Sequence, residues 1–443
     1  MSDNSKIEWT DATWNPVTGC SVVSPGCTNC YAMGLAGTRL RNHPSRAGLT
    51  IATKAGPVWN GQVRLNEDWL TQPLKWRRPR MIFVCAHGDL FHEAVPDEWI
   101  DRVFAVMALS PQHTYQLLTK RADRMRAYCT DAGVTHRVAQ AMDKILVDRD
   151  DDGYEKWAPV PDFPKYEVST RGRVRRDDIV LKQQINPEYG RPSVTLWRDA
   201  IPTTVFVHIL VLRAWRGPMP DGCETRHRNG ERTDNRLINL EWASGSINQQ
   251  DKVRHGSNGG PAKLTREQAA EIRSAVAAGE TQQSIADRYG VSRSLVSLVK
   301  DRKVWPDAID WPLRNVWKGV SAEDQTRADA RVPDLLATPA AVRFVSAEPL
   351  LGPIDFREIG GRDGDGFNAF DDGADDGVRA EPVLDWIIVG GESGPSARPM
   401  HPAWARAIRD QCAAAGVAFF FKQMTKKGPI PDDLLVREFP HAR

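Results

Sequence analysis

The sequence predicts an α/β protein: a host domain with a parallel, partial-barrel-like sheet, split by an inserted α+β segment that ends in a helical pair. Three observations predict it. Short continuous apolar runs alternate with amphipathic helical stretches at both ends of the chain, the pattern of a parallel sheet covered by helices. The middle breaks that pattern and turns basic, with 25 Lys and Arg against 18 Asp and Glu in residues 153–303, where the rest of the chain holds 34 against 39. After the middle, the alternating pattern resumes.

Taken in order, "RMIFVCAHGDLF" (80–91) reads as a buried strand with a polar end. "DEWIDRVFAVMALS" (97–110) puts Ile100, Val103, Phe104 and Met107 on one helical face. "TYQLLTKR" (114–121) is the next strand and "THRVAQAMDKIL" (135–146) the next helix. Past the middle come strands at 315–321, 342–350 and 384–394, a helix at 401–416 and a strand at 417–424. Several strands end in polar residues: Asp89 and His92, Ser346 and Glu348, Glu392 and Ser393. Ligands of parallel α/β folds sit at strand C-termini, so these residues predict a pocket, with Lys120, Arg121 and Lys422 as further polar candidates. The Gly/Asp-rich stretch 358–377 reads as a mobile surface loop.

The chain of 443 residues suggests several domains. The expected bounds are 1–150 and 310–443 for the two halves of the host, and 153–200, 201–256 and 260–304 for three parts of the middle. No run of eighteen apolar residues exists, which excludes a membrane-spanning helix by pattern. The first residues are polar, so a cytoplasmic location is expected. A reducing compartment argues against a disulfide framework for the seven cysteines. Three of them crowd into "TGCSVVSPGCTNCYA" (18–32) as Cys20-x6-Cys27-x2-Cys30. A Gly/Ser/Pro-rich loop of this kind can wrap thiolates around one metal centre, and three ligands leave a coordination position open. Iron–sulfur, zinc and inert buried thiols all remain open at this point. Cys85, Cys129, Cys223 and Cys412 are isolated and read as packing residues.

The motifs "IEWTDATWNPVTGCSVVSPGCTNCYA", "DLFHEAVP", "LLTKR", "NVWKGVSAEDQ", "RFVSAEPLLGPID" and "IIVGGESGPSARPMHPAW" resemble a phage and bacterial three-cysteine family of unknown function. The resemblance covers most of residues 6–146 and 310–425. That family in turn resembles radical S-adenosylmethionine enzymes. It implies a 4Fe–4S cluster on Cys20, Cys27 and Cys30, with S-adenosylmethionine at the fourth iron. The usual spacing is C-x3-C-x2-C, and this loop has x6. "GGES" is similar to the Gly-Gly-Glu segment of such enzymes, which implies cosubstrate contacts from Gly390, Gly391 and Glu392, with Glu348 as a further candidate. The alternative makes the host domain a zinc-binding protein, with Zn²⁺ in a structural knot, or a non-catalytic, DNA-associated protein, and leaves the middle without an active site. The substrate is unknown.

In the middle, "WAPVPDFPKYEVSTRGRVRR" (157–176) carries Arg171, Arg173, Arg175 and Arg176, a density suited to phosphate contact. It resembles the DNA-binding module found ahead of HNH homing endonucleases. "VFVHILVLRAWRG" with "RHRNG" and "DNRLINLEW" resembles the HNH endonucleases themselves. That likeness implies a ββα-metal nuclease fold and hydrolysis of double-stranded DNA with Mg²⁺ or another divalent cation. His227 is then the general base and Asn248 the metal-ligating Asn. Asn235 and Asn239 hold the intervening loop, and His208, on an expected strand, is structural or auxiliary. Some relatives carry Asp before the base, where this chain has Arg226, so the metal is held by fewer protein ligands or by another group such as Asp234 or Asp251. In "TQQSIADRYGVSRSLVSLVKD" the apolar residues fall on two helical faces broken at Gly290-Val291, with Thr281 and Ser292 as N-caps. This is helix-turn-helix spacing, which would place Ser292, Arg293 and Ser294 at base edges and Lys300 at a phosphate. Neither boundary carries the residues of self-splicing. The expectation is therefore an uncleaved fusion, a phage-encoded protein acting in a bacterial cytoplasm.

Overall fold

The computed structural model describes residues 5, 7–150, 155–245, 264, 266–277, 279–301, 309–360, 366–371, 373 and 383–440. The chain divides into two compact units, residues 1–134 with 310–443, and residues 135–309.

The first unit is built on seven strands: Ala12–Trp14, Met81–Val84, Thr114–Thr119, Val316–Ser321, Val342–Ala347, Trp386–Gly390 and Ala418–Gln423. Their spatial order equals their chain order, and every neighbouring pair is parallel. Crossovers between parallel strands are right-handed. When every step goes the same way, the crossover segments fall on one face, and the sheet curls into a half-barrel with its other face concave. Helices Asp97–Ala108, Gln325–Leu336 and Pro402–Ala415 occur in these crossovers.

Period-two alternation fills the concave face. Phe83, Leu118, Trp317, Phe344, Trp386 and Phe420 pack there around Trp9. The Trp386 ring lies 5.9 Å from Trp317, 5.7 Å from Phe344 and 6.3 Å from Trp9. Gly319 is required where Phe344 crosses it, since a Cβ would sit 2.6 Å from that ring. One or two steps further up the same alternation come Cys85, Lys120, Ser321, Ser346, Glu348 and Lys422. All six line one cavity at the C-terminal end of the sheet. The expected strands are present, shortened because their polar ends leave the sheet to form this rim. The expected helix 135–146 is longer, Val134–Asp150, and follows a separate helix, Ala122–Thr130. Part of the Gly/Asp-rich stretch is pinned rather than loose. Ile359 and Phe367 form a bridge, and Ile359 and Ala369 are buried. Residues 361–365, 372 and 374–377 lie outside the described residues.

In the second unit, strands Trp157–Val160, Phe163–Ser169, Val174–Arg176 and Ile179–Val180 form an antiparallel sheet. Strands Gln184–Asn186, Arg191–Arg198 and Ile201–Phe206 form another, and Cys223–His227 pairs with Leu240–Ser244. Residues expected on either side of a boundary at 200 share one core: Tyr166, Val168, Val174, Val194 and Leu196 pack with Val207, Leu210, Val211 and Leu240. That boundary falls in the two-residue turn Asp199-Ala200, whose φ values of 51° and 62° mark a mirror-image hairpin turn. His208 lies on a helix, Val207–Arg216, not on the expected strand. The apolar run there repeats at Val207, Leu210, Val211 and Ala214, which is helical spacing, and burying that face against the sheets decides the conformation.

Helices Arg266–Ala277, Gln282–Tyr289 and Arg293–Lys300 close around Ala269, Ile272, Ile285, Val296 and Val299. Thr281 and Ser292 cap the last two helices through their hydroxyls, and Gly290 turns the chain in the left-handed region. Among the described residues no helix is long and apolar enough to cross a membrane.

Candidate functional site

The cavity above the half-barrel has a volume of about 240 Å³ and is lined by Cys20, Cys27 and Cys30 together with Tyr31, Asp89 and Arg121. Of the polar strand-end residues, Asp89, Ser346, Glu348, Glu392 and Ser393 line it, and His92 does not. Cys20 follows Gly19, where φ is 98° and a Cβ would sit 2.2 Å from the Gln62 carbonyl oxygen. Cys27 ends a short turn and Cys30 precedes helix Tyr31–Gly37. All three are free and half-buried. Among the described residues, no three His, Cys, Asp or Glu side chains converge on a point that could hold a single metal ion. Burial pushes the Cys20 thiol up to about 12; Asp89 adds to this and Arg121, 3.6 Å away, opposes it.

The loop is gripped by residues from the far end of the chain. Buried Glu323 accepts from the Gly26 N–H at 3.1 Å and pairs with Arg331 at 3.0 Å. Glu392 accepts from Asn29 Nδ2 at 2.9 Å and holds Arg398, which also donates to the Pro25 carbonyl at 2.9 Å. On the other side Arg121 reaches Ser21 Oγ at 2.7 Å and pairs with Asp89 at 3.0 Å.

This changes what "GGES" does. Glu392 is occupied by Arg398 and Asn29. A Cβ on Gly391 would sit 2.4 Å from the Thr425 nitrogen, so that glycine permits close strand approach. Gly390 clears room for Glu348, whose carboxyl carbon would lie 3.3 Å from a Cβ there. Glu348 thus reaches across the intervening strand to Lys422 Nζ at 2.5 Å. The grip by Glu323, Asn29 and Arg398 was not read from the sequence; Arg398 stands inside a quoted motif, but nothing local signals its partners.

In the second unit, His227 ends the strand Cys223–His227, and a ring nitrogen lies 3.2 Å from Asn235 Oδ1. Burial pushes its pKa down to about 4, with Asn235 opposing and Arg191 assisting. His208 stacks on Phe206 and lies 5.3 Å from the His227 ring, centroid to centroid. Burial, with Arg191 and His227, pushes its pKa down to about 3. Asn239 fixes the loop: its Oδ1 accepts from the Asn229 N–H and its Nδ2 donates to the Asp234 carbonyl. Arg226 pairs with its cross-strand neighbour Glu241. Asp234 is spoken for by Arg236 and Asn229. Burial acts to raise its pKa, and those partners outweigh this and hold it low. Asn248 and Asp251 lie outside the described residues.

The arginine cluster is largely neutralised locally. Arg173 pairs with Glu155, Arg175 with Glu167 and Asp178, and Arg176 with Asp177. Arg175 also stacks over Trp157 at 4.3 Å. Arg171 is exposed. On the last helix Arg293, Ser294 and Lys300 are exposed, and the Ser292 oxygen is used by its cap on the Leu295 N–H.

Against protein-family models, residues 4–157 and 267–432 match the family described as "Protein of unknown function (DUF5131)". The chain belongs to DUF5131. In this DUF5131 protein, residues 205–250 match the HNH endonuclease model and residues 155–197 the NUMOD4 motif. No curated protein matches the chain. A solved structure titled "DNA binding and cleavage by the HNH homing endonuclease I-HmuI" is similar at 19% identity, covering 32% of this chain and 88% of that chain, with a TM-score of 0.22.

Proposed function

We propose that the chain is a DNA endonuclease whose hydrolytic centre lies at His227. The observation that carries this is a neutral, buried imidazole at a hairpin end, held by Asn235, inside a segment that matches the HNH endonuclease model. A neutral imidazole can take the proton of an attacking water. A divalent cation supplies charge neutralisation at the phosphate when bound. The protein ligand that the resemblance gives it is Asn248. Arg226 faces Glu241 and Asp234 is engaged by Arg236, so these two add no free carboxylate. Arg293, Ser294 and Lys300 on the exposed helix face read DNA. The test is Mg²⁺-dependent plasmid nicking by wild-type protein and by His227→Ala. Loss of the base should lower the rate by about 10²–10⁴ and leave DNA affinity unchanged. Equal rates in the two proteins would remove the assignment.

A second reading is favoured by the three thiols sharing one cavity at the strand C-termini. In it Cys20, Cys27 and Cys30 hold a 4Fe–4S cluster. Thiolates at separate corners of a cluster need not converge on one point, as zinc ligands must. Bound there, the cluster with S-adenosylmethionine would supply radical chemistry. Glu323, Glu392 and Arg121 orient the cysteine loop, and the Glu348–Lys422 pair, which lines the same cavity, would be a polar group available to the cosubstrate. Anaerobically purified protein should contain iron and sulfide and be brown, and a triple Cys→Ala variant should be neither. A colourless protein with one tightly held zinc would establish the structural-knot alternative.

A further inference from the structure

Beside His227 stands an arginine that the nuclease reading does not use. Arg191 begins the strand Arg191–Arg198, inside the segment that matches NUMOD4. Its Nη1 donates to His208 Nε2 at 2.9 Å and to Thr225 Oγ1 at 3.3 Å. Thr225 and His227 alternate onto the same face of their strand. A half-buried guanidinium ordinarily meets a carboxylate. Here burial lowers the pKa of Arg191, and a second cation, Arg232, lowers it further. Arg232 donates to the Tyr189 carbonyl at 3.3 Å. His208 is 2% exposed, and its Nδ1 has no hydrogen-bond partner among the described residues. Among the described residues, two cations, a hydroxyl and an unsatisfied imidazole nitrogen therefore gather at the base, and the carboxylates Glu241 and Asp234 are taken by Arg226 and Arg236. This collection is complete only with an anion.

We propose that Arg191, assisted by Arg232, binds the scissile phosphodiester, so that the NUMOD4-matching strand completes the hydrolytic centre of the HNH-matching segment. The choice of substrate rests on the nuclease reading; the anion site does not. In the step, a water oxygen bonds to phosphorus and its proton passes to His227. The bond from phosphorus to one sugar oxygen breaks, and that oxygen takes a proton from solvent water. Negative charge grows on the non-bridging oxygens, where the Arg191 guanidinium meets it.

The test has two arms. In the first, inorganic phosphate is titrated into the full-length protein while the ring signals of His208 and His227 are followed by NMR. The wild type should show saturable shifts, and Arg191→Gln should weaken them by about tenfold or more, as expected for loss of a charge-assisted contact. Arg191→Lys should retain part of the binding, and melting curves establish that both variants are folded. In the second arm, Arg191→Ala should lower the turnover of plasmid cleavage by about 10²–10³ without loss of DNA affinity, and added guanidinium should restore part of the rate. Absence of phosphate-dependent shifts in the wild type, or equal phosphate affinity in folded Arg191→Gln, would overturn the proposal. Arg191-dependent phosphate binding in a wild-type protein that cuts no DNA would overturn the nuclease reading and leave the anion site standing.

Discussion

His227 and His208 are held neutral by burial, and this has a consequence for stability. Their folded pKa values, about 4 and about 3, lie below the ordinary imidazole value. The unfolded chain therefore binds more protons than the folded chain between about pH 6.5 and those values. The stability these groups contribute is full above about pH 6.5 and is lost as pH falls toward 4. Melting of the full-length protein should reveal a transition of the second unit that drops over this window. His208→Gln, which keeps an acceptor for Arg191 but does not titrate, should flatten the drop. A transition as acid-sensitive as wild type would remove His208 from the account. At this scale the sequence pointed to His227 and to the cysteine triplet, because each sits in a dense local motif. It could not show that Glu392 holds the cysteine loop, because its partner Asn29 lies 363 residues away. Nor could it mark Arg191, which looks like any strand arginine until folding sets it against His208.

At the scale of elements, strands written as short continuous apolar runs and helix caps were legible, because both are set by neighbours in sequence. Thr281 and Ser292 act as the expected caps, and the host strands fall inside their expected segments. The run Val207–Leu212 was not legible as a helix. Six consecutive residues, five of them apolar, satisfy both periods, and only tertiary burial separates them. The arginine cluster is another case: density suggested phosphate contact, and acidic partners both near and farther along the chain take up most of it. On the proposed function, the helix Arg293–Lys300 would then be the stronger DNA contact. Arg293→Ala and Lys300→Ala should each weaken DNA binding across sequences or at one base. Where the lost contact is a phosphate, the slope of log K against log salt should fall by about 0.9. Arg173→Ala, which removes a side chain already paired with Glu155, should leave that slope unchanged. A larger effect from Arg173 than from Lys300 would reverse the assignment.

At the scale of the whole molecule, two compositions mark two units: an acidic parallel half-barrel from both ends of the chain, and a basic α+β middle. The sequence could place the change in texture and two parts that contain the NUMOD4 and HNH matches, but not the core those parts share. The expected parts 153–200 and 201–256 share one core and a hairpin across their junction, so neither should fold without the other. The central claim is that the middle unit carries DNA hydrolysis through His227. It is tested most directly by expressing residues 135–309 alone and measuring nicking of supercoiled plasmid with Mg²⁺, with EDTA, and with His227→Ala. The fragment should fold, nick DNA only with the metal and lose that activity in the variant. A folded fragment whose cleavage is unchanged by His227→Ala, or one that never cuts while the full chain does, would contradict it.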